Sequence, residues 1–110
     1  MCGIAGGIGP SAPSKLVLDN QLDSINHRGP DGQGTYVNQG IALGMCRLAI
    51  VEIAAGKQPA SDERESIHLV FNGEIYNYRE LRQELELSGI HCRDSSESEV
   101  IMNLYLKHGI

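Results

Sequence analysis

A change of hydrophobic period near Gly34 constrains this chain more than any other feature. Upstream, Leu18, Leu22 and Ile25 fall at i, i+4 and i+7, the spacing of one helical face. Downstream the pattern is that of strands: Gly34-Thr35-Tyr36-Val37 and Ile41 to Ile53 flank Asn38-Gln39-Gly40, which reads as a hairpin loop. Ile67 to Phe71 is a further strand, stopped by Asn72-Gly73, and Cys2 to Gly9 reads as a short Gly-rich one. Pro10–Ser14 and Pro59–Glu65 are turn-like. Helical signals then return. Asn77 and Glu80 fit a capping box ahead of Leu81 and Leu85, with Gly89 placed as a stop. Ser96 and Glu99 repeat the box before Val100, Ile101, Leu104 and Leu106, with Gly109 as the stop. The expected order is β, α, ββ, β, α, α, with room for a short strand between the last two helices. A hairpin embedded among helices points to an α+β fold and away from a doubly wound parallel sheet.

With 110 residues, 41% of them hydrophobic, the chain has enough material for one modest core. Nine Lys and Arg against fourteen Asp and Glu give 9 − 14 = −5, and no basic run is present, which argues against a nucleic-acid partner. No apolar stretch approaches the ~18 residues of a membrane span. The opening Met1-Cys2-Gly3-Ile4 lacks the basic region of a signal peptide. Cys2, Cys46 and Cys92 are odd in number and form no C-x-x-C pair, so neither a disulfide framework nor a zinc site is expected. The four histidines have no ligand spacing, and Gly3, Gly6, Gly7 and Gly9 match neither a dinucleotide fingerprint nor a Walker loop. A cytoplasmic protein without a structural metal is the expectation.

Four places carry residues suited to chemistry. Removal of the initiator Met before a small second residue would leave Cys2 amino-terminal, joining a nucleophilic thiol and an α-amine of pKa about 7.7–8.0 in one residue. A chance cysteine is the plain alternative. Asn72-Gly73 ends a strand and offers a carboxamide beside an unobstructed backbone N–H, a pair suited to an oxyanion, or else an ordinary turn. Arg28, in His27-Arg28-Gly29-Pro30-Asp31-Gly32, sits either in a rigid loop with a carboxylate partner or in a surface turn. Arg47 interrupts the apolar run 41–53, so it needs a partner: a structural Asp or Glu, or a substrate carboxylate.

Taken together, Met-Cys-Gly-Ile-Ala-Gly, His-Arg-Gly-Pro-Asp-Gly, Arg-Leu-Ala-Ile and Phe-Asn-Gly-Glu-Ile-Tyr-Asn-Tyr resemble the glutaminase domain of glutamine-hydrolysing asparagine synthetases, a class II glutamine amidotransferase. The motifs stand in the family's order and spacing, along the length of the chain. The resemblance implies a four-layer αββα sandwich of the N-terminal nucleophile hydrolase type, present here incompletely: residues 1–110 would be the N-terminal part of that domain. It implies that Cys2 attacks the side-chain amide of glutamine, forming a thioester and releasing ammonia. Asn72 and the Gly73 N–H match the oxyanion hole, Arg47 the clamp on the glutamine α-carboxylate, Ile50 and Val51 its pocket wall, and Glu74 and Glu97 its amino end. No metal is implied in this chain. ATP and Mg would serve a C-terminal synthetase domain, absent here, that amidates aspartate to asparagine with the ammonia. A homodimer is among the assemblies the resemblance leaves open.

Three positions depart from the family pattern. Met45 stands where His is usual, Glu52 where Asp is usual, and Glu97 where an Asp binds the glutamine amino group. Glu97 keeps the charge but adds a methylene to a small clamp. These departures leave two alternatives: an amidotransferase acting on another carboxylate, such as a sugar acid in surface polysaccharide synthesis, and a non-catalytic structural or regulatory relative. Because the family's domain is longer, and because an attached Met1 would amidate the α-amine, the isolated 110-residue chain is expected to be inactive.

Overall fold

The computed structural model describes residues 2–48 and 56–110. Strand β1 (Gly3–Ile8) leads to helix α1 (Lys15–Ser24), a single 3-10 turn (Asn26–Arg28) and the hairpin β2 (Gly32–Asn38) and β3 (Ile41–Arg47). Two short strands follow, β4 (Ala60–Ser61) and β5 (His68–Leu69), and then helices α2 (Tyr78–Leu87) and α3 (Glu97–His108). The described residues thus form a small α+β domain with three α-helices and antiparallel sheets.

In the larger sheet β3 is central, antiparallel to β1 on one side and to β2 on the other. The expected helical face is present: Leu18 and Leu22 are fully buried, and Ile25 packs beside them. Ser14 caps α1, its Oγ accepting from Val17 N at 3.4 Å. Strand alternation turns Ala42, Gly44 and Cys46 toward this helix, and Ala42 and Cys46 are fully buried. Gly44 lets the helix sit close, because a Cβ there would lie 2.8 Å from Leu22 Cδ1.

The opposite face carries Ile4, Ile8, Tyr36, Ile41, Leu43 and Met45. Over it His68 of β5 stacks on Tyr36, ring centroids 3.5 Å apart and planes 16° off parallel. Helix α3 packs beside β4 and against α2, with Leu85 and Val100 fully buried. Lys107 ties the two helices at their surface through Glu84 (3.4 Å) and Ser88 (2.9 Å).

Several details differ from the sequence reading. The strand expected over 67–71 pairs only at His68–Leu69, because its partner β4 is two residues long and lies inside the segment taken for a plain turn. Asp62 builds the turn between them, accepting from Ser66 N (2.6 Å), Ile67 N (2.8 Å) and Ser66 Oγ (2.8 Å). Residues 90–92 form no strand. Asn77 begins α2 without a side-chain cap, its backbone at φ −104° and ψ 26° rather than extended. Ser96 does cap α3, accepting from Glu99 N at 3.2 Å, but Glu99 does not return the bond. Its carboxylate is instead taken by Arg93 and Asn103. Residues 49–53 of the long apolar run, with Ile50, Val51 and Glu52, lie outside the described residues.

Candidate active site

Four chain segments meet at one end of β3. The antiparallel register sets Gly3 opposite Cys46, so the residue before Gly3, Cys2, arrives beside Arg47 and Leu48. Its sulfur receives the Leu48 backbone N–H at 3.5 Å. The loop after the 3-10 turn packs on the same strand end: Pro30 bridges to Arg47, and Asp31 N donates to Arg47 O at 2.9 Å. Gly29 permits this approach, since a Cβ there would come within 2.6 Å of Arg47 N. The loop thereby delivers Arg28, whose Nε donates to the Cys2 carbonyl at 3.2 Å. The sequence reading offered Arg28 a carboxylate or nothing. The partner found is a main-chain carbonyl.

From the far side of the cleft, the segment after β5 brings Asn72, whose Nδ2 donates to the same Cys2 carbonyl at 3.1 Å. Phe71, immediately before it, is gripped by Gln58: Phe71 N donates to Gln58 Oε1 at 2.6 Å and Gln58 Nε2 donates to Phe71 O at 3.0 Å. Gln58 Nε2 also reaches Ser98 Oγ at 3.2 Å, on the first turn of α3. Glu97, the first residue of that helix, accepts from Ile75 N at 2.8 Å. The first turn of α3 therefore touches the chain on both sides of Asn72-Gly73.

These segments enclose a cleft of about 270 Å³, lined among others by Cys2, Arg47, Asn72, Gly73, Glu97 and Gln58. Five of the eight residues singled out from the sequence are thus brought together. Glu74 is exposed and does not line this cleft, and Ile50 and Val51 fall outside the described residues. The departure at Met45 also faces the cleft. Sequence reasoning missed Gln58 and Ser98. The partners of Gln58, Phe71 and Ser98, lie 13 and 40 residues away in sequence, and no local pattern marks a glutamine that binds main chain.

A larger cleft, about 480 Å³, lies elsewhere between the Asp62 turn and α3, and contains the Arg93–Glu99 ion pair at 2.9 Å. Burial pushes the Glu99 carboxyl upward, but hydrogen bonds from Arg93 and Asn103 outweigh it and hold the group below the usual range. Within this cleft the Arg93 guanidinium and the Glu99 carboxylate pair with each other.

Chemically, the smaller cleft joins a thiol, amide donors, a guanidinium and a carboxylate. That set can hold a zwitterionic α-amino acid and present a carbonyl to a nucleophile. Among the described residues no helix is long and apolar enough to cross a membrane.

The family described as glutamine amidotransferase domain matches residues 1–110. Asparagine synthetase (glutamine-hydrolyzing) 1 of Bacillus subtilis (strain 168) is 37% identical over 110 residues, covering 96% of this chain and 17% of its own length. Proteins of the same name from Arabidopsis thaliana and Lotus japonicus are 39% and 41% identical, covering 100% and 99% of this chain and 19% of their own length. The chain therefore spans less than a fifth of these relatives.

Proposed function

Because the chain belongs to the glutamine amidotransferase domain family, we propose that it hydrolyses the side-chain amide of glutamine through a thioester on Cys2. The observation that carries the reading is the meeting of Cys2, Arg47, Asn72, Gly73 and Glu97 in one cleft from separate chain segments. Once Met1 is removed, the Cys2 α-amine accepts the thiol proton and the sulfur attacks the amide carbon. Negative charge gathers on the amide oxygen, where the Asn72 carboxamide and the Gly73 N–H are the donors we assign. The carbon–nitrogen bond then breaks, the proton passes to the leaving nitrogen, and ammonia departs. Water attacks the thioester, restores the thiol and frees glutamate.

Substrate orientation follows from charge. Arg47 takes the α-carboxylate, a planar group suited to a guanidinium fork. Glu97 takes the α-ammonium, and Glu74, outside the cleft lining, is given no contact with it. One Glu97 oxygen is committed to Ile75 N, so the other is the acceptor we assign to the substrate. Ile50 and Val51 are the walls we assign to the methylenes. We further propose the four-layer αββα arrangement. In its support, α1 covers one sheet face, β5 lies over the other through the Tyr36–His68 stack, and α3 packs beside β4.

The names of these relatives support a longer protein in which the ammonia serves asparagine formation. ATP and Mg belong, in this reading, to that protein's synthetase domain. This chain carries no phosphate-binding loop in its sequence, and no step assigned to it passes through them. A homodimer and a cytoplasmic setting complete the proposal.

The test is glutamate release from glutamine by the full-length protein, with intact mass recorded in parallel. Loss of Met1, turnover in the wild type and none above background in Cys2→Ala would support it. Unchanged turnover in Cys2→Ala would overturn it.

A further inference from the structure

We propose that Gln58 is a positioning residue that holds the oxyanion donors, acting with the first turn of α3. The inference rests on the functional reading above and goes beyond it, because Gln58 touches no reacting atom. Its carboxamide pairs with Phe71 as a neighbouring strand would, accepting from Phe71 N and donating to Phe71 O at 2.6 and 3.0 Å. β4 and β5 pair over only two residues each, and the ladder stops at Ala60 opposite Leu69. Past that point no strand among the described residues pairs with Val70 to Asn72, and the Gln58 side chain bonds the main chain at Phe71.

The hold is anchored at a second point. Gln58 Nε2 also donates to Ser98 Oγ, and the preceding residue of the same helical turn, Glu97, accepts from Ile75 N. Residues 72–74 are thus suspended between two side-chain ties, at Phe71 and at Ile75, both referred to α3. An oxyanion donor works only when already aimed at the charge that develops. A displacement of about an ångström from a change outside the reacting groups can cost about a hundredfold. Two ties on a three-residue span limit such displacement, and Gln58 makes three of the four hydrogen bonds involved.

Gln58→Leu removes all three bonds of that residue. Gln58→Glu keeps an acceptor for Phe71 N but cannot donate to Phe71 O or Ser98. In the full-length protein we expect glutaminase kcat to fall about 10–100-fold in Gln58→Leu, and by less in Gln58→Glu. KM for glutamine should change by no more than about threefold, because the donors act on the transition state. Alkylation of Cys2 by iodoacetamide, a displacement that forms no oxyanion, should stay within about twofold of wild type. Amide exchange at Phe71 should accelerate. Unimpaired kcat in both variants overturns the inference. So does a kcat loss matched by equal losses in Cys2 alkylation or glutamine affinity, which would mark a general disturbance of the cleft. If Gln58→Leu fails to fold, Gln58→Glu decides. An active wild type beside an unimpaired variant removes only this inference, whereas turnover that survives in Cys2→Ala removes the functional reading itself.

Discussion

At the scale of single residues, hydrogen-bonded carboxylates set the response to pH. Asp62 is held below the ordinary carboxyl range chiefly by the Ile67 N–H, with Ser66 adding to it. In Asp94 and Glu99 burial pushes upward, and hydrogen bonds from Ser96 and from Arg93 respectively prevail. A folded-state pKa below the unfolded one means that the folded form binds fewer protons. The stability they contribute is therefore whole above the unfolded values, near 4, and is lost as pH falls through the depressed ones. Melting temperature should decline from about pH 4 downward, and Glu99→Gln should flatten part of that decline while lowering stability at pH 7. Glu65 is a second residue with a readable cost, its φ of 52° lying in the left-handed region. Glu65→Asn, at a solvent-exposed turn, should raise stability by about 0.5–1 kcal/mol in chemical denaturation.

At the scale of elements, the two capping boxes make a controlled pair. Both read alike in sequence, yet only Ser96 makes the cap bond. Ser96→Ala should cost about 1 kcal/mol and Asn77→Ala only a few tenths, a contrast measurable by urea denaturation. Asn77 lies in the turn that Tyr78 N closes on Ile75 O at 3.0 Å, and its backbone there is not the extended one a side-chain cap requires, whereas that of Ser96 is. Apolar spacing located α1 because Leu18 and Leu22 on one face are fully buried, and the β2–β3 hairpin was marked by its Asn38-Gln39-Gly40 turn between apolar segments. β4 escaped notice because two residues leave no period to detect. The site was legible where chemistry is carried by unusual residue types: a cysteine at position 2, an arginine amid apolar residues. It was illegible where an ordinary side chain holds main chain at a distance, as Gln58 does, and for Arg28 the residue was marked but its main-chain partner was not. Helix packing offers a last test at this scale. Gly44→Ala would drive a methyl against Leu22 and should cost about 1–3 kcal/mol, partly relieved by Leu22→Val.

At the scale of the whole molecule, the antiparallel pairing of β1 with β3 carries a consequence for how the chain tolerates change. Each residue of β1 is matched to one of β3, from Ile8 with Ile41 to Gly3 with Cys46. Cys2 stands one step beyond that ladder, so its place is metered by a count of residues measured from the hairpin. Adding or deleting one residue within 3–8 would shift the chain start by about 3.3 Å and exchange the faces of everything before it. No repacking of the cleft could restore that loss. The exposed Gln39 tip lies at the opposite end of the ladder, so length gained there extends into solvent while Gly40 O keeps its bond from Gly9 N at 2.7 Å. Insertions that look equivalent on paper are therefore opposite in effect, harmless at one end of a strand pair and fatal along the other.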